Sequence, residues 1–295
     1  MVTELPPDEL PADEQPTDLP TELPTNEVVV DLDDGGRWTS LVLGGREWLW
    51  SGPGLVAGSR EGFTTYLDVG GLDECFPTVR GEPDHGGLWN QPWGSLDEDD
   101  DWDVIPYGEA VLLRRFNGGE TPAEVGIEGA IWVDYRLIAT PGYRFIWAAH
   151  ALLDCEVGAV VDVPADTVGR LYPQDGSDWT ESGPWSELAL DVYGPTDGTA
   201  IGAVLIDCPT TSVVDRSSIL TFTLSCPGQP VSTALWRNLG GYPADAPYRS
   251  LGVEPMLGRV FGLAEAGPDD AAVVPASGEL TWRLVISAVT SSPKE

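Results

Sequence analysis

The sequence predicts an all-β protein, a large antiparallel sandwich or barrel. Three observations carry that prediction. Short apolar stretches recur along the chain and are cut by turn residues, with 35 glycines and 26 prolines in the whole. Several of these stretches alternate apolar and polar side chains, the period of a strand with one buried face. No segment shows an apolar stripe of helical period over about twelve residues.

The chain divides into a tail, residues 1–26, and one domain, residues 27–295. The tail repeats Pro, Asp, Glu, Leu and Thr and has no basic residue. Such a composition cannot bury enough apolar surface to offset the entropy of ordering, so the tail is expected to be disordered. From Val28 onward the signal is β. Strand-like stretches follow at Thr39–Leu43, Ala110–Leu113, Ala130–Ile138 and Phe145–Leu153, then at Leu188–Tyr193, Ala200–Ile206, Ile219–Leu224 and Leu280–Val289. Ile131-Trp132-Val133-Asp134-Tyr135-Arg136-Leu137 alternates most clearly. Asn117-Gly118-Gly119 reads as a hairpin turn, because Asn and Gly tolerate positive φ. The run Asp97-Glu98-Asp99-Asp100-Asp101-Trp102-Asp103 reads as a solvated acidic loop, since it lacks the spacing and the glycine of an EF-hand.

A chain of 295 residues can bury a large core. Its formal net charge is −33, from 48 acidic and 15 basic residues, and Lys294 is its one lysine. Neutralising phosphates needs clustered Lys and Arg, so this balance argues against nucleic acid and anionic membrane as partners. Cys75, Cys155, Cys208 and Cys226 are widely spaced and form no Cys-x-x-Cys motif. No apolar run approaches the length of a membrane span, and the acidic, Pro-rich start does not resemble a secretory signal. The expected setting is the cytoplasm, with reduced thiols, for a monomer or homodimer.

The chemistry-bearing residues are few. The chain has two histidines. His85 lies in the turn-rich Asp84-His85-Gly86-Gly87, where it could donate to a ligand or merely close the turn. His150 lies in Trp147-Ala148-Ala149-His150-Ala151-Leu152-Leu153, an apolar strand; there a lone histidine is either a satisfied core residue or a proton donor. Glu254 sits between Val253 and Pro255-Met256, and apolar surroundings strengthen a carboxylate as a base. Its plain structural reading is a strand-end glutamate paired with Arg259. Trp89, Trp93, Trp147 and Trp236 lie near these segments and could stack on sugar rings, with Asn90, Gln91 and Asn238 to read hydroxyls. Twelve tryptophans in one chain also suit simple core packing. Two histidines and a carboxylate could ligate zinc, but no compact ligand motif supports a metal site. No P-loop, nucleophile elbow or dinucleotide-binding glycine motif is present.

Taken in order, the segments resemble the aldose 1-epimerase family of the galactose-mutarotase-like superfamily. Asp34-Gly35-Gly36-Arg37-Trp38-Thr39-Ser40-Leu41 and Gly44-Gly45-Arg46-Glu47-Trp48-Leu49 look like its opening hairpin. Gly70-Gly71-Leu72-Asp73-Glu74-Cys75-Phe76-Pro77-Thr78 precedes the His-Gly motif at His85-Gly86, and His150 follows on a strand. Glu254-Pro255 is the Glu-Pro motif, and Gly278-Glu279-Leu280-Thr281-Trp282-Arg283-Leu284 looks like the last strand. The resemblance implies a β-supersandwich of large antiparallel sheets with an open cleft on one face. It implies that Glu254 takes the proton of the anomeric hydroxyl, that His150 protonates the ring oxygen, and that His85 holds the sugar. It implies no metal and no cofactor. Arg80, Glu74, Trp89, Trp236 and Asp207 are the candidate substrate-binding residues under this resemblance. Leu88 and Trp89 stand where hexose-phosphate members continue Phe-Ala-Arg, so the expected substrate is an unphosphorylated sugar. Two other readings stay open: a non-catalytic carbohydrate-binding protein with the same cleft, and a glycoside-processing enzyme using Glu254 with Glu74 or Asp73.

Overall fold

The computed structural model describes residues 26–52, 61, 63–66, 68–96, 101–116, 129–172 and 180–290. The tail as far as Thr25, residues 97–100 of the acidic run and the Asn117-Gly118-Gly119 turn lie outside the described residues. The first strands are β1 (Asn26–Asp31), β2 (Arg37–Leu43), β3 (Arg46–Glu47), β4 (Leu72–Cys75), β5 (Gly94–Ser95), β6 (Asp103–Tyr107) and β7 (Ala110–Phe116). Then come β8 (Ile131–Ile138), β9 (Arg144–Phe145), β10 (Trp147–Leu153), β11 (Val160–Asp162), β12 (Val168–Tyr172) and β13 (Thr180–Pro184). The last are β14 (Ala200–Ile206), β15 (Thr210–Asp215), β16 (Ser218–Ser225), β17 (Val231–Leu239), β18 (Arg249–Leu257), β19 (Ala272–Val273) and β20 (Glu279–Thr290).

They form two large antiparallel sheets. One has ten strands in the order β1-β2-β4-β10-β18-β17-β14-β12-β13, with β3 added at β2. The other has eight, in the order β11-β15-β16-β20-β8-β7-β6-β5. The main core fills the space between them, and its largest fully buried members include Trp38, Trp48, Trp147, Tyr135 and Phe222. Each such side chain contributes roughly 1.5–3 kcal/mol by leaving water. A smaller apolar cluster of Cys75, Ile146, Ala148, Tyr172, Val204, Ala234, Met256 and Phe261 covers part of the other face of the ten-stranded sheet. The central strands are therefore covered on both faces. That is why β10 reads as one apolar run instead of an alternating one.

Two strand expectations are corrected. Leu188–Tyr193 is not a strand: Trp185–Glu187 forms a 3-10 turn, Ala189 takes φ +53°, and Val192 alone makes a bridge, to Val160. A left-handed residue turns the chain out of extended pairing. The stretch Phe145–Leu153 is broken at Ile146, whose N–H donates to Pro77 O. Arg144–Phe145 pairs with β19, while Trp147 opens β10 in the large sheet. Composition places Asn26 in the tail, yet it pairs with Leu43 and opens β1. No helix among the described residues is long and apolar enough to cross a membrane. Cys75, Cys155, Cys208 and Cys226 are all free thiols.

Candidate active site

Strand parity builds the site. On β10, Trp147, Ala149, Ala151 and Leu153 point into the main core, which sends Ala148, His150 and Leu152 to the opposite face. On β18, Leu251, Val253 and Leu257 point into the core, which sends Gly252, Glu254 and Met256 to that same opposite face. The pairings Ala148↔Met256 and Ala151↔Val253 place His150 directly across from Glu254. His150 is also paired with Asp73 on β4, and Glu254 with Ala234 on β17. One row across the sheet therefore reads Asp73, His150, Glu254, Ala234.

In that row His150 Nε2 lies 3.5 Å from Glu254 Oε1. Both side chains are nearly covered, at 6% and 3% exposure. Glu254 Oε2 is buried and accepts no hydrogen bond from any described residue. An unpaired buried carboxylate oxygen is costly, and in a native fold it calls for a functional explanation. Gly252, two residues before it, makes room: a Cβ there would stand 3.1 Å from Glu254 Oε1 and 2.9 Å from Trp236 Cβ. Glu254 is thus a mid-strand residue, not a strand-end one, and Arg259 bonds Asp207 instead.

His85 enters from the loop after β4. Its φ is +58° and that of Gly86 is +73°. A Cβ on Gly86 would lie 2.0 Å from Phe76 O, so only glycine fits behind this histidine. Backbone bonds from His85 to Val79 O (2.8 Å) and from Gly87 to Phe76 O (2.9 Å) hold the loop down. The His85 ring meets the His150 ring edge-on at 5.1 Å between centroids. Tyr66 stacks flat on His85 at 3.7 Å, stands edge-on to His150 at 6.0 Å, and donates its hydroxyl to Asp73 Oδ2 at 3.0 Å. His85 Nδ1 lies 3.2 Å from Asp84 Oδ2. Burial pushes the Asp84 carboxyl up, but His85 and the Arg80 charge together outweigh it and hold that carboxyl below its ordinary range.

The substrate-binding candidates divide. Trp236 shares the face and borders Glu254 across Gly252. Arg80 is half-buried, with its guanidinium over Tyr172 at 5.7 Å and Phe261 at 5.6 Å, at the β12 side of the same face. Trp89 is buried behind the histidines, edge-on to Tyr66, and its indole donates to Gly86 O at 3.1 Å. It packs the loop more than it offers a ring.

Glu74 and Asp207 are corrected. Glu74 points the other way from Asp73, into the core between the sheets, and is fully buried. Its carboxylate accepts bonds from Tyr135 Oη (2.8 Å), Trp147 Nε1 (2.7 Å) and Arg114 (3.2 Å). Burial raises its pKa against the pull of Arg114 and those bonds. Asp207 follows β14, is largely exposed and pairs with Arg259 at 2.8 Å, three positions beyond the row that holds Glu254. Trp147 and Trp93 are core residues: the first bonds Glu74, and the second lies under Arg114 at 4.3 Å. Asn90 and Gln91 give their amides to Phe63 O and Gly87 O, and the Asn238 amide is bound to the loop at Tyr242. Tyr66, Asp73 and Gly252 belong to the site and carry no distinguishing local signal.

A separate hollow of about 600 Å³ lies on the outer face of the eight-stranded sheet, lined by Trp102, Arg115, Asp134, Arg136 and Arg283 among others. Its carboxylate, Asp134, is bound by Arg283 at 2.6 Å and by Arg115 at 3.6 Å. No histidine lines it, whereas the His150–Glu254 face sets an imidazole beside a carboxylate. Among the described residues no group of three or more His, Cys, Asp or Glu is placed to hold a metal ion.

No protein-family model matches the chain, and neither does any curated protein sequence. Solved structures do. An aldose 1-epimerase candidate from Escherichia coli K12 superposes with a TM-score of 0.66 at 12% identity, over 92% of this chain and 98% of that one. A galactose mutarotase related enzyme from Lactobacillus acidophilus gives 0.57 at 12%, over 92% and 98%. A GalM/aldose epimerase homologue from C. elegans gives 0.54 at 11%, again over 92% and 98%. The fold is galactose-mutarotase-like, a supersandwich of large antiparallel sheets.

Proposed function

We propose that this galactose-mutarotase-like chain is an aldose 1-epimerase-type isomerase, interconverting the α and β anomers of an unphosphorylated sugar. The observation that carries the reading is the acid–base pair His150–Glu254, 3.5 Å apart on the face of the ten-stranded sheet turned away from the main core. Anomer exchange adds a proton to one oxygen of a hemiacetal carbon and removes a proton from the other. An acid and a base on adjacent strands suit two oxygens borne by one carbon. Glu254 takes the proton of the C1 hydroxyl while His150 delivers one to the ring oxygen. The C1–ring oxygen bond breaks and the open aldehyde forms. Rotation about C1–C2 presents the other carbonyl face. His150 then recovers its proton from the ring hydroxyl, and Glu254 returns one to the new C1 oxygen, so both residues end as they began. His85, with Tyr66 stacked on its ring and Asp84 Oδ2 3.2 Å from its Nδ1, donates to the sugar beside the ring oxygen. Leu88 and Trp89, in place of an arginine-bearing motif, favour a sugar without phosphate.

NMR saturation exchange between anomers, across a panel of free sugars, tests this. Wild type should accelerate exchange, and Glu254→Gln should lower kcat by about 100-fold or more, the usual contribution of a positioned base. Near wild-type turnover in the variant would sink the assignment. A second reading, sugar binding without turnover, draws on how thoroughly Tyr66 and its neighbours cover the pair. Sugar-dependent line broadening with no exchange in either protein would select it.

A further inference from the structure

As the face is packed, the His150 and Glu254 side chains are too little exposed for a sugar to touch both. Chemistry at the pair therefore needs an opening, and the contacts over His150 mark where it lies. Residues 63–66 and 68 precede β4 and belong to no strand. Phe63 is exposed, and its carbonyl accepts the Asn90 amide at 2.6 Å. Asp68 accepts the Tyr248 hydroxyl through Oδ2 and the Gly70 N–H, at 3.3 Å, through Oδ1. Between these anchors Tyr66 reaches inward. Its ring lies flat on His85, 11° from parallel, and stands edge-on to His150 and to Trp89. Its hydroxyl donates to Asp73, which is paired with His150 across β4 and β10. One side chain thus covers both histidines and is tied to the end of the row that holds the acid and the base.

We propose that Tyr66 is a gate over the acid–base pair, closed in this structure and latched by its bond to Asp73. Opening breaks that bond and the stack on His85, and it uncovers His150. It leaves the pairing of β4, β10 and β18 intact, so the register that sets His150 beside Glu254 survives it. Segments outside the sheet ladder open at far lower cost than paired central strands. A sugar that binds the open state alone draws the gate open, and its apparent affinity falls by the fraction of the chain that is closed. The latch therefore sets how much of the protein is ready to bind.

The gate rests on the isomerase reading for its purpose, but its test needs no turnover. Diethyl pyrocarbonate labels neutral imidazole, and with two histidines in the chain, peptide mass spectrometry follows His150 alone. Rates are compared on the pH plateau of labelling for wild type, Tyr66→Phe and Tyr66→Ala. Tyr66→Phe keeps the ring and removes the latch, so His150 should label about 10-fold faster, the worth of one hydrogen bond to a charged acceptor. Tyr66→Ala should label faster still. Cys208 and Cys226 are buried in the main core, and their alkylation by iodoacetamide reports global unfolding. It should stay at the wild-type rate. His150 labelling at the wild-type rate in Tyr66→Phe overturns the gate. So does faster His150 labelling that the two cysteines follow in step. If Tyr66→Ala does not fold, Tyr66→Phe decides by itself. Anomer exchange, measured separately, judges the isomerase reading: faster labelling with no exchange by wild type keeps the gate and fails that reading, and exchange with unchanged labelling does the reverse.

Discussion

Replacing Glu74 by Gln tests whether this residue ties the sheets together or serves the sugar. The side chain is fully buried between β4 and the eight-stranded sheet, and its two oxygens accept three bonds, from Tyr135, Trp147 and Arg114. Glutamine fills the same volume, so no cavity term arises. With its carbonyl at the Oε1 position it keeps the Tyr135 and Arg114 donors, while its NH2 group meets the Trp147 indole N–H head-on. One neutral bond, worth about 1 kcal/mol, is lost, and the Arg114 bond, worth about 1.5–3 kcal/mol with a charged acceptor, loses that charge. Arg114, itself fully buried, is left with Asp103 at 3.0 Å as its carboxylate partner. Removing one member of a buried pair costs about 3–5 kcal/mol. Burial already disfavours the ionised Glu74, which brings the expected loss towards about 3 kcal/mol. At roughly 2–4 °C per kcal/mol the melting temperature should fall on the order of 6–12 °C. Urea unfolding should show a lower midpoint with an unchanged m-value. The double variant Glu74→Gln/Arg114→Met should recover part of the loss, giving a coupling energy above about 1 kcal/mol. Sugar turnover well below the melting transition should follow the folded fraction. A variant within about 1 kcal/mol of wild type would refute the inter-sheet role. A variant that melts normally but loses turnover would put Glu74 back at the substrate.

Two further outcomes follow from local geometry. Gly252→Ala puts a methyl group 2.9 Å from Trp236 Cβ and 3.1 Å from Glu254 Oε1. It should cost about 1–3 kcal/mol of stability and lower kcat more than it raises KM; unchanged kinetics would show that Glu254 does not depend on this gap. The Asp84 carboxyl is held below its ordinary range, so its contribution is present above the unfolded value near pH 4 and is lost as pH falls through the lower folded value. Because Asp84 is half-exposed, that contribution is below about 1 kcal/mol. Melting of wild type and Asp84→Asn across pH 2–7 should differ above pH 4 and converge in acid; a gap that widens in acid contradicts the assignment.

Local pattern carried the fold class. Ile131–Leu137 alternates because one side of β8 meets the core, and the structure keeps that alternation over Ile131–Ile138. The strands that pattern alone hides are the central ones. Leu72-Asp73-Glu74-Cys75 is buried on both faces, so its two carboxylates look alike in sequence. Leu188–Tyr193 has strand composition, but a left-handed Ala189 after a 3-10 turn removes it from any sheet.

The same division holds at the site. His85, His150 and Glu254 stand out in the sequence because titratable groups are rare in apolar or glycine-rich segments. Whether they meet depends on register between strands far apart in the chain, and one residue of slip would send Glu254 into the core. Tyr66 over His85, the gap at Gly252 and the inward turn of Glu74 are all settled by packing between segments. Composition and period are local properties, and the sequence alone determined an acidic all-β chain with two histidines and a carboxylate to offer. Only the tertiary structure decided that His150 lies opposite Glu254, because a contact across a sheet is set by the pairing of whole strands.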